Sequence, residues 1–118
     1  MTTALPGTTL LYLVLAMAIT AETAPDGRNW IIRLNGRFDH RALPVFQKAY
    51  QSAPSAVDVY VIDMAKVSNL DSSGLSILLL LHVHAGSRRL RVRIVNCNPT
   101  VQRVLQVAKF ADLFDIQV

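Results

Sequence analysis

With 118 residues and a single cysteine, Cys97, the chain is long enough to bury one core and excludes an intramolecular disulfide framework or a CxxC metal or redox pair. Apolar residues make up 52% and charged residues 17%, without a low-complexity tract, which excludes a disordered chain and points to a compact fold. The formal charge of +4 would suit an anionic partner, but the cations are mostly scattered.

Residues 1–16 form an apolar leader: no charged side chain occurs before Glu22, and Leu10 to Ile19 is an unbroken apolar run containing Ala16-Met17-Ala18. Three readings fit it: translation starting at Met17, an ordered apolar extension, or a signal peptide. The basic segment of a secretory signal is missing and the run is short for a membrane span, so the preferred division is an extension at 1–16 and a domain at 17–118, with no stable membrane insertion.

After a turn at Ala24-Pro25-Asp26-Gly27, Trp30 to Leu34 has strand composition and stops at the turn signal Asn35-Gly36, pairing with residues near 17–23 as a hairpin. Ala42, Val45, Phe46 and Ala49 then recur with helical spacing, with Pro44 in the first turn, and this amphipathic helix ends before Pro54. Val57 to Met64 is rich in β-branched residues and reads as a strand followed by a loop. From Gly74 to Ala85 the sequence is apolar on nearly all sides and predicts a buried helix, with Asp71, Ser72 and Ser73 available as caps and Gly86 closing it.

Leu90 to Val95 alternates apolar and basic residues as a half-solvated strand; Arg88, Arg89, Arg91 and Arg93 lack interleaved base-reading side chains and are read as a solvated face without direct nucleic-acid binding. Asn98-Pro99 caps and opens a helix with Val101, Val104, Leu105 and Ala108 on one face, and a short strand closes the chain near residues 114–118. The order ββαβαβαβ, with helical crossovers that demand parallel pairing, predicts a single α/β domain with a mixed sheet of about five strands and helices packed on it.

Few groups offer chemistry. The glycines are too far apart for a phosphate-cradling loop, so no nucleotide cofactor is expected. His82 and His84 are two apart on a helix and His40 is alone, so no metal set is expected. Cys97 lacks a base near it in sequence and reads as a small buried residue, and no catalytic residue is assigned. The remaining candidate is Asp71-Ser72-Ser73-Gly74-Leu75, where a strand hands over to an apolar helix. Its bland role is a helix cap; its functional one follows from the same geometry, a hydroxyl at the positive end of a helix beyond a strand's carboxyl end.

Those five residues, preceded by Val61-Ile62-Asp63-Met64, resemble the central motif of STAS domains in anti-sigma factor antagonists. Asn35-Gly36-Arg37-Phe38-Asp39 resembles that family's turn after the second strand, and Asn96-Cys97-Asn98-Pro99 with Phe110-Ala111-Asp112-Leu113-Phe114 resembles its later helix and ending. The order and spacing agree from about Met17 to Val118. The resemblance implies a cytoplasmic, non-enzymatic partner switch acting in signal transduction and transcription regulation. Ser72 would be the phospho-acceptor, Ser73 a supporting serine, and Asp39, Asp71, Ser72, Ser73 and Gly74 the partner-binding surface. It further implies an anti-sigma factor that is also a serine kinase, captured by the unphosphorylated domain and released on phosphorylation, and a PP2C-like phosphatase that resets the switch. An accessory STAS subunit of a lipid-transporting ABC complex is the alternative; Ser72-Ser73, in place of the Thr-Gly expected there, favours the antagonist.

Overall fold

The computed structural model describes the backbone of residues 9–14 and 17–117 and the side chains of residues 18–117. Strand β1 (Thr9–Val14) runs antiparallel to β2 (Met17–Thr23), and β2 runs antiparallel to β3 (Asn29–Phe38). The hairpin of residues 17–23 with 30–34 is thus present, with Thr23 opposite Trp30 and Ile19 opposite Leu34. Its turn is held by Asp26, whose carboxylate accepts from the backbone amides of Arg28 and Asn29. Helix α1 (Leu43–Gln51), strand β4 (Val59–Leu70), helix α2 (Ser72–His84), strand β5 (Val92–Val95), helix α3 (Pro99–Val107) and strand β6 (Asp115–Gln117) follow. The strands lie side by side in chain order, and β3 through β6 are parallel. The expected ββαβαβαβ order therefore holds from Met17 onward, while part of the leader supplies the sixth strand, β1, at the edge.

Parallel neighbours taken in sequence, under the right-handed rule for such crossovers, should carry all three helices on one face of the sheet. Burial follows: Trp30, Ile32 and Leu34, Tyr60, Ile62 and Met64, and Val92 and Ile94 are buried in one cluster with Phe46 and Ala49 of α1, Leu78 and Leu81 of α2, and Val101 and Leu105 of α3. The alternate residues emerge on the other face, which carries the ion pairs of Arg33 with Glu22 and Asp63 and of Arg93 with Asp115. Trp30 is fully buried and donates its indole N–H to the Ala49 carbonyl at 3.0 Å, fastening α1 to β3.

Four expectations need correction. Asn35-Gly36 does not end its strand: β3 continues to Phe38, and the positive φ of Gly36, +115°, is absorbed beside the register shifts in its pairing with β4. The loop expected after Met64 is strand to Leu70, because Lys66, Val67, Asn69 and Leu70 find partners in that same extension of β3. Leu90 lies in a 3₁₀ turn (Arg89–Arg91) and only Val92–Val95 is strand, so Arg93 alone of the four arginines sits on it. Finally, α2 is not a buried helix. Its inner face, Gly74, Ile77, Leu78 and Leu81, is covered, while Leu79, Leu80 and Val83 are exposed.

Candidate functional site

The register of β3 with β4 sets the site. Phe38 and Leu70, the last residues of the two strands, are paired, so the residues that follow, Asp39 and Asp71, emerge side by side at the carboxyl edge of the sheet. Each then starts a helical turn. Asp39 is buried, with 6% of its surface exposed, and accepts from the Arg41 amide at 3.0 Å and from Arg41 Nε and Nη2 at 3.1 and 2.8 Å. Asp71 caps α2, accepting from the Gly74 amide at 2.9 Å and from the Ser73 hydroxyl at 2.6 Å.

Gly74 explains how close the two turns come. A Cβ there would lie 2.6 Å from the Phe38 carbonyl oxygen and 2.6 Å from Leu70 Cδ1, so the first turn of α2 packs directly on the end of β3. Asn98 joins from a third direction: its carboxamide caps α3 by accepting from the Val101 amide and donates to the Val67 carbonyl at 3.0 Å. The structure thereby brings together Asp39, Asp71, Ser72, Ser73 and Gly74. Sequence reasoning missed Arg41, the clamp on Asp39; its signal was the short spacing Asp39-His40-Arg41 after the strand.

The serines at the head of α2 differ in one respect that sequence does not reveal. The Ser73 hydroxyl is engaged with Asp71, and the Ser76 hydroxyl donates to the Ser72 carbonyl at 3.0 Å. Ser72 is exposed, and among the described residues its hydroxyl has no hydrogen-bond partner.

Both carboxylates are held ionised. The Arg41 guanidinium keeps Asp39 at about 2, below an ordinary 3.8, against the opposing effect of burial. The Ser73 hydroxyl and then the Gly74 amide lower Asp71, while the nearby charge of Asp39 works the other way. The head of α2 therefore faces two negative charges, of which one is neutralised by Arg41 and one is satisfied by local donors.

The other candidates disperse. The His82 ring lies 5.4 Å from Phe114, and His84 lies 4.7 Å from Tyr50 and 5.9 Å from Tyr60. Among the described residues no three His, Cys, Asp or Glu side chains are grouped to hold a metal. Cys97 is buried and its thiol is pushed up to about 11 by that burial, with Asp63 adding to it, as suits a small core residue. Arg89 donates to the Ala111 carbonyl and Arg91 to that of Ala85. Among the described residues, no helix is long and apolar enough to cross a membrane.

A mixed sheet with helices on one face and, at its carboxyl edge, a serine-headed helix capped by an aspartate is the arrangement of the STAS class of α/β domain. A family model described as Mlab, STAS domain matches residues 13–115, and the chain belongs to this STAS-domain family. A STAS-domain containing protein of Pseudomonas aeruginosa (strain UCBPP-PA14) is 40% identical over 100 residues, covering 85% of this chain and 99% of the relative. Among solved structures, the STAS domain of an antisigma-factor antagonist from Rhodobacter sphaeroides is 28% identical, covers 72% of this chain and 91% of its own, and superposes with a TM-score of 0.53. An anti-sigma factor antagonist from Mycobacterium paratuberculosis has the same fold at 20% identity, with a TM-score of 0.64 and coverage of 92% and 83%. The unphosphorylated anti-sigma factor antagonist SpoIIAA does so at 22% identity, with a TM-score of 0.58 and coverage of 94% and 89%.

Proposed function

We infer that this STAS domain is an anti-sigma factor antagonist: a non-enzymatic cytoplasmic switch that captures an anti-sigma factor with kinase activity while Ser72 is unmodified and releases it when Ser72 is phosphorylated. The observation that carries this reading is the state of the three hydroxyls at the head of α2. Ser73 and Ser76 are occupied in local hydrogen bonds, whereas the Ser72 hydroxyl is exposed and has no partner among the described residues. The likeness to the antagonist from Rhodobacter sphaeroides supports it.

The physics of release follows from the neighbours of Ser72. A phosphate adds about −1.5 to −2 charges and three strong acceptors. On Ser72 it stands at the positive end of α2, which favours it, and directly after the ionised Asp71, so the domain tolerates it while the contact surface becomes strongly anionic. A partner that buries this surface must then desolvate a dianion, a cost on the order of several kcal/mol and enough to change a mostly bound population into a mostly free one. No refolding is needed, because neither Asp71 nor Gly74 has to leave its place. A PP2C-like phosphatase would restore the binding form.

The test is phosphorylation by the cognate kinase with ATP, followed by mass mapping and calorimetry. One phosphate on Ser72 is expected, Ser72→Asp weakening partner binding by at least roughly tenfold, about 1.4 kcal/mol, and Ser72→Ala binding constitutively. Phosphate on Ser73 or Ser76 with Ser72 untouched would sink the assignment of the acceptor. Equal affinity of the unmodified and phosphorylated forms would move the reading to an accessory STAS subunit of a lipid-transporting ABC complex.

A further inference from the structure

Charge is divided unevenly along this chain. From Ser72 to Ala111 there is no Asp or Glu, while the cations Arg88, Arg89, Arg91, Arg103 and Lys109 fall within that span, as does Arg93, which is paired with Asp115 on the far face of the sheet. The nearest carboxylates in sequence, Asp71 and Asp112, stand at its two ends. Helix α2 opens the segment, and its inner face accounts for only part of its apolar residues. On the opposite side Leu79, Leu80 and Val83 are 37%, 44% and 67% exposed, and Leu90, in the turn that follows, is 65% exposed. Positions 76, 79, 80 and 83 have the spacing of one helical face, so these side chains form a ridge along the outside of α2.

At the carboxyl end of the ridge, Arg88 and Arg89 are exposed beside Leu90. The turn carrying them is tied down by Arg89 to the Ala111 carbonyl, by Arg91 to the Ala85 carbonyl and by the Arg91 amide to the Arg88 carbonyl, while the Arg88 guanidinium has no partner among the described residues. The apolar ridge lines neither of the grooves beside α3, which are formed by Leu75, Thr100, Arg103 and Val104 on one side and by Gln102, Leu105 and Ile116 on the other. Its side chains are exposed on the outside of the helix.

We propose that the outer face of α2 and the arginine turn at residues 88–91 dock on an anionic lipid surface, the domain lying on the membrane without a span in it. Exposed leucine and valine on one helical face, arginines at its end and a carboxylate-free stretch behind them are what the interface between headgroups and acyl chains selects, since aliphatic tips are buried there and guanidinium groups stay at the phosphates. A protruding ridge suits a deformable lipid surface better than a shape-matched protein pocket.

The test is flotation of the full chain with vesicles of phosphatidylcholine alone and with about one part in three of phosphatidylglycerol, at about 0.1 M salt. Binding to the anionic vesicles and little to the neutral ones is expected. Leu80→Ser with Val83→Ser, both exposed, should weaken it at least roughly tenfold, and Arg88→Glu several-fold, with thermal unfolding unchanged. These variants keep the uncharged leader and the Ser72 site, so a vesicle affinity due to the leader, or a failed switch, is read separately. No binding of the unaltered chain to anionic vesicles, or binding that the double variant leaves intact, would overturn the proposal. So would a dimer in solution that the same substitutions dissolve without any vesicle binding, which would assign the ridge to a second copy. Loss of capture by the anti-sigma factor with no vesicle binding would assign it to that partner instead.

Discussion

Arg41 grips Asp39 through two side-chain donors and its own amide, and this interaction keeps the carboxyl at about 2 in place of 3.8. A folded-state value below the unfolded one means that the contact stabilises the fold above pH 3.8, and that the contribution is lost as pH falls through about 2. Asp39→Asn should therefore flatten the decline of the thermal midpoint across that window while leaving the rest of the pH profile alone. Identical slopes for the two proteins would show that the clamp does not couple to folding. The run Asp71-Ser72-Ser73-Gly74 was legible from its residue types as a strand end, a cap and a helix start, because these are local features; its reading as a partner-binding site came from the family resemblance. Which hydroxyl stays free was not legible. That depends on the cap placing Ser73 against Asp71 and on α2 placing Ser76 over the Ser72 carbonyl.

At the scale of elements, the contact between α2 and the end of β3 is the closest fit in the site. Gly74→Ala would force a methyl group into the Phe38 carbonyl oxygen and Leu70 Cδ1, and backbone cannot yield as a flexible side chain does. A loss of about 1–3 kcal/mol is expected, the usual range for overpacking, measured by chemical denaturation. An alanine variant of unchanged stability would show that α2 has room to shift. The start of α3 was readable to the residue, since Asn98 and Pro99 are a cap and a first-turn proline whose preferences are set within a few bonds. The far ends of β3 and β4 were not. Each looks like turn or loop sequence alone, and becomes strand because the other supplies the hydrogen-bond partners. The outer face of α2 was misjudged for a related reason, as periodicity identifies an apolar helix without saying how many of its sides the fold covers.

At the scale of the whole molecule, the core reaches into β2, which begins at Met17. We expect a chain beginning at Met17 to unfold cooperatively, with a midpoint within about 5 °C of the full chain, about 1 kcal/mol at this size. The buried apolar side chains Ile19 and Ala21 of β2 belong to the same core cluster as residues of α1 and β3, although β1 pairs along β2 and borders α1. A truncated chain that fails to fold would make β1 integral to the domain. The α/β class, the alternation of strands and helices from Met17 onward, the hairpin, the helix caps and the strand-to-helix run at Asp71-Ser72-Ser73-Gly74 could all be read along the chain. These follow from periodicity and from cap and turn chemistry, which act over a few residues. That Asp39 and Asp71 stand together, that Arg41 neutralises one of them, that Gly74 must be bare and that one side of α2 faces out came with the folded arrangement alone. Each of these rests on residues brought into contact across the sheet, and no local preference encodes such a contact.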